Sequence, residues 1–116
     1  MHKAMTFLAL MSCSTMAIAQ DGYSKLAGDM TITSKDYSDP PAGQTKDRVG
    51  FVLVGSSAKR MYDAMRVKPE TKKVCEEGMR TKTAGPLDCT RSRDGSYTCM
   101  FAIMLTNGQS KPFGMC

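Results

Sequence analysis

The residues of this chain best suited to chemistry are its cysteines, Cys13, Cys75, Cys89, Cys99 and Cys116. The last four are separated by 14, 10 and 17 positions. A structural zinc site takes two ligands from one tight turn, so it wants cysteines two to four residues apart. That spacing is absent, and no Cys-x-x-Cys pair supports a thioredoxin-like redox centre. Four cysteines in a short exported chain are instead the pattern of two disulfides. Cys75, Cys89, Cys99 and Cys116 are expected to form them.

Acid–base and nucleophilic chemistry find less support. The single histidine is His2, within an N-terminal leader. Without it, a nucleophile has only carboxylates and lysines as its base. Glu76 and Glu77 are adjacent rather than facing, and read as a solvated turn. Gly-x-Ser-x-Gly and phosphate-cradling glycine loops are missing. No metal ligand set or cofactor motif is present. The expectation is a protein that is not an enzyme and has no cofactor. An envelope-polymer hydrolase is the alternative enzymatic reading, and it requires a pair of carboxylates brought together in space.

Charge is the remaining lever. The chain has 16 Lys+Arg against 11 Asp+Glu, a net of +5. Residues 66–93 hold Arg66, Lys68, Lys72, Lys73, Arg80, Lys82, Arg91 and Arg93 against Glu70, Glu76, Glu77 and Asp88. Clustered positive charge attracts anionic partners at long range. Lys72, Lys73, Arg80, Lys82, Arg91 and Arg93, with the hairpin tip Ser92 to Tyr97, form the candidate partner-binding surface. The partner expected is another envelope protein or an anionic envelope surface. Nucleic acid is not expected, because no series of stacking aromatics accompanies the charge.

The N-terminus sets the compartment. Met1-His2-Lys3 is a short basic stretch, and Ala4 to Ser12 is apolar apart from Thr6. This is too short to span a bilayer and has the length of a signal-peptide core. Ala17-Ile18-Ala19 is a small-residue cleavage site that would start the mature chain at Gln20. Leu10-Met11-Ser12-Cys13 competes with it as a bacterial lipobox, which would lipidate Cys13. The first cut delivers a soluble protein to the periplasm of a Gram-negative bacterium. The second delivers an outer-membrane lipoprotein that contacts the membrane through Cys13 alone.

Three regions are expected to position these residues: a signal peptide over 1–19, a flexible arm or tether over 20–47, and a single domain over 48–116. The arm is polar and broken by Pro40-Pro41, with Met30-Thr31-Ile32-Thr33 as a possible short edge strand. Arg48 to Val54 is a β-branched, apolar strand. Ser56-Ser57 supplies an N-cap for a helix from Ala58 to about Arg66. Ala58, Met61, Tyr62 and Met65 fall at i, i+3, i+4 and i+7, a single apolar face. Arg80 to Thr83 reads as a further short strand.

The hairpin Leu87–Ser92, Ser96–Leu105 is the most strongly specified piece. A three-residue loop, Arg93-Asp94-Gly95, closes on Gly95 in the left-handed conformation. Counting outward, Arg91 meets Tyr97, Thr90 meets Thr98 and Cys89 meets Cys99. Facing cysteines on neighbouring strands are within disulfide range. The favoured pairing is therefore Cys89–Cys99, leaving Cys75–Cys116 to pin the tail. Met100 to Leu105 is apolar on both faces, so it is either central in the sheet or covered by a partner. The fold class is α+β: a small disulfide-stapled domain with one helix packed on an antiparallel sheet of three to four strands. The function expected is an exported, non-catalytic module acting by surface binding, in the manner of inhibitors and immunity proteins. A lipid-tethered structural envelope component is the alternative.

Overall fold

The computed structural model describes residues 22–35, 42–71 and 75–114. The elements are β1 (Gly28–Thr33), β2 (Arg48–Val54), α1 (Gly55–Ala64), β3 (Arg80–Ala84), β4 (Leu87–Arg91), β5 (Tyr97–Met104) and β6 (Ser110–Lys111). They build one antiparallel sheet in the order β1-β2-β5-β4-β3. β6 pairs with β5 at Ala102 and Ile103, beyond the end of β4. The helix-on-sheet architecture is as expected. The strand number is not: among the described residues there are six strands rather than three to four.

The added strands have weak sequence signatures for a physical reason. β1 is GDMTIT, half polar, and five of its six residues are exposed. It is held by backbone pairing with β2 along its whole length, from Gly28 opposite Leu53 to Thr33 opposite Arg48. The sheet thus begins inside the stretch read as an arm. Ser57 reinforces this docking. Its hydroxyl accepts from the Ala27 amide at 2.8 Å, so it ties the lead-in of β1 to the helix. β6 is only two residues long. Such a strand adds almost no pattern to a sequence.

The hairpin follows the expected register. Arg91 opposes Tyr97, Thr90 opposes Thr98 and Cys89 opposes Cys99. The Ser92 amide donates to the Ser96 carbonyl at 2.8 Å, and Gly95 has φ +88. Asp94 completes the loop by accepting from the Ser96 amide and hydroxyl. Cys89 and Cys99 form a disulfide with their Cα atoms 4.0 Å apart. Both are fully buried. Cys75 is also disulfide-bonded. Cys116, its expected partner, lies outside the described residues.

The helix runs one turn earlier than expected, from Gly55 to Ala64, and no side chain caps its start. Serine was the expected cap. Ser57 instead turns inward, and its hydroxyl is used on the Ala27 amide. The apolar face holds: Ala58 and Tyr62 are buried with Leu53, Cys89 and Cys99, and Met61 and Met65 pack at the margin. β5 lies between β2 on one side and β4 and β6 on the other. This central position explains its apolar residues on both faces. Phe113 closes the reverse face and is 8% exposed. It sits over Gly50, where a Cβ would come within 2.5 Å of its ring.

Candidate functional site: an arginine pair at the outer strands

Side chains alternate along strands, so β3 and β4 present two sets of residues to two faces. Lys82, Cys89 and Tyr97 point to the helix side. Arg80 and Arg91 share their parity and are directly opposed in the β3–β4 ladder. Both are exposed. Among the described residues neither guanidinium has a carboxylate within ion-pair distance. Arg93 follows on the hairpin loop, with its methylenes against Gly78. Glycine leaves that channel open for the arginine stem. The structure therefore brings Arg80, Arg91 and Arg93 to one end of the outer hairpin.

An aromatic pair borders this cluster. Tyr62 and Tyr97 meet edge to face, with ring centroids 5.3 Å apart. Lys59 lies 5.7 Å from the Tyr97 ring and donates to Asp63 at 2.6 Å. That hydrogen bond raises the Lys59 pKa above its ordinary value, with the charge of Arg91 acting in the opposite direction.

Lys82 has a different role from the rest of the expected surface. Its ammonium donates to the carbonyls of Tyr62 and Met65 at 2.9 and 3.1 Å. It also lies 4.4 Å from the Tyr62 ring centroid. These carbonyls belong to the unpaired last turn of α1, where a cation complements the helix dipole. Lys82 holds the helix to the sheet. Lys72 and Lys73 lie outside the described residues, as does Cys13.

Two arrangements bear on catalysis. Ser56 and Lys59 stand in a Ser-x-x-Lys spacing on the first turn of α1. In serine acyl-enzymes such a lysine can take the serine proton. Here the bond to Asp63 favours the protonated ammonium, which has no lone pair to accept one. On the opposite face of the sheet a groove of about 440 Å³ includes Glu70 and Asp88 in its lining. Glu70 is exposed, and Asp88 accepts from the Thr83 hydroxyl at 2.6 Å.

The groove had a signal in the sequence that hydrophobic patterning passes over. Thr81 and Thr83 flank Lys82, Thr90 follows Cys89 and Thr98 precedes Cys99, so all four are out of phase with the helix-facing residues of their strands. Fold and surface together define a small disulfide-stapled α+β domain whose basic edge has no ion-paired carboxylate among the described residues. No protein-family model, curated protein or solved structure matches the chain.

Proposed function

We propose that this protein is an exported, non-catalytic module of the bacterial cell envelope that binds an anionic partner through Arg80, Arg91 and Arg93. The observation that carries this reading is the placement of Arg80 opposite Arg91. Like charges directly across a ladder destabilise a sheet. A protein that keeps such a pair exposed and without carboxylates holds its charge ready for something else. Guanidinium forks match the geometry of carboxylates and phosphates. A disulfide in a small domain fits an oxidising compartment, in keeping with the leader-like N-terminus. The partner is an acidic patch on another envelope protein.

The test is cross-linking in intact cells with the full chain, followed by titration of the purified partner. Binding should weaken steeply with added salt and be lost in an Arg80→Glu, Arg91→Glu, Arg93→Glu variant. Retained affinity in that variant would remove the arginine edge from the account.

A further inference from the structure

The face of the sheet away from α1 is chemically unlike the arginine edge. Thr81 opposes Thr90, and Thr90 opposes Thr98, so three hydroxyls stand in one row across β3, β4 and β5. Adjacent strands are about 4.8 Å apart, which sets the pitch of the row. The next row is Thr83, Asp88 and Met100. These residues line the groove of about 440 Å³, a size that holds small ligands. Met79, Met100 and Phe113 supply an apolar wall.

We propose that this groove binds a short neutral oligosaccharide. The lining contains no lysine, arginine or histidine among the described residues, although the chain carries a net charge of +5. With Glu70 and Asp88 in the lining, an anion is repelled. A purely apolar ligand would bury the Thr98 hydroxyl and the second Asp88 oxygen without partners, which costs free energy. A sugar ring meets both demands, since its hydroxyls lie around the edge and its C–H groups on the faces.

The hydrogen-bond inventory fits in detail. Thr83 donates to one Asp88 oxygen, which holds the carboxylate in place and leaves its other oxygen open to accept. Thr81 and Thr90 share one hydrogen bond at 3.1 Å, so one of the two hydroxyl protons remains available. Thr98 makes no side-chain hydrogen bond among the described residues. The groove thus offers donors and acceptors together, as a hydroxyl-bearing ligand requires.

Titration of the full chain with chitotriose, followed by amide NMR shifts, tests the site. The expected result is saturable shifts on β3, β4 and the first half of β5. Affinity should fall about tenfold or more in a Thr90→Val, Thr98→Val variant, which loses two hydroxyls but keeps β-branched side chains suited to a sheet. The Arg80→Glu, Arg91→Glu variant should bind chitotriose unchanged, which separates this site from the arginine edge. Absent shifts at millimolar sugar would overturn the proposal. So would equal binding by the threonine variant, or binding of spermidine in place of the sugar.

Discussion

The Lys82 ammonium lies 4.4 Å from the Tyr62 ring and 2.9 Å from the carbonyl oxygen of the same residue. One side chain on β3 therefore both caps the helix and covers its buried aromatic. Lys82→Ala should leave the Tyr62 and Met65 carbonyls without their donor and cost about 1–3 kcal/mol. Urea denaturation would show the midpoint fall. Partner binding by the folded variant should be unchanged, in contrast to the arginine variants.

Relieving the opposed arginines should have the reverse effect. Arg91→Thr removes a like-charge pair and places a β-branched residue in a strand. A gain of about 0.2–1 kcal/mol in unfolding free energy is expected. The same variant should bind the anionic partner more weakly. Stability and affinity measured on one sample would expose this opposition. A variant that loses both would show that Arg91 is needed by the fold.

The Cys89–Cys99 bridge spans a sequence separation of 10. Closing a loop of that size limits the unfolded chain by about 3 kcal/mol. Cys89→Ala with Cys99→Ala should lose roughly that amount, with a further loss from the space left in the core. The double serine variant should fare worse, because it puts two hydroxyls where both sites are fully buried. Denaturant curves of the three proteins would order them.

Gly50→Ala tests the reverse face. Its Cβ would come within 2.5 Å of the Phe113 ring. The ring must shift, and overpacking of this kind costs about 1–3 kcal/mol. Hydrogen exchange should quicken at β6, which precedes Phe113. Pairing Gly50→Ala with Phe113→Leu should recover part of the loss.

The hairpin tip should respond to acid. Hydrogen bonds from the Ser96 hydroxyl and amide lower the Asp94 pKa below the ordinary aspartate value. The folded state therefore releases this proton more readily than the unfolded chain. The support from Asp94 is complete above the ordinary aspartate range and is lost as pH falls through the lowered folded value. Carboxyl NMR titration should find Asp94 titrating below the ordinary aspartate value. The Ser96 amide shift should follow the same curve, and Asp94→Ala should abolish it.

Much of the helix–hairpin core was legible before any coordinates. The turn residues, the alternation of β4 and β5 and the two cysteines each imply the same register, and independent signals that agree are hard to misread. β1 was less legible, because it is stabilised through its backbone against β2 and exposes Met30 and Ile32. Met30 and Ile32 alternate with Thr31 and Thr33, but four residues inside a polar stretch make only a short signal. The arginine edge was visible as a run of charge. Its membership was not: Lys82 differs from Arg80 only in which neighbours the fold supplies, and these lie 17 and 20 positions away. The groove was hard to read for another reason, since its threonines come from three strands that only the folded sheet places in a row.

The central position of β5 has a consequence in time. β2 finds its inner neighbour in β5, and β4 also pairs with it. While the chain is being made, β1, β2 and α1 emerge before β5, and the two strands can pair only with each other. The nucleus can close only after Met104 is clear. The middle of the sheet therefore assembles late, and the Cys89–Cys99 bridge can form only once β5 has followed β4.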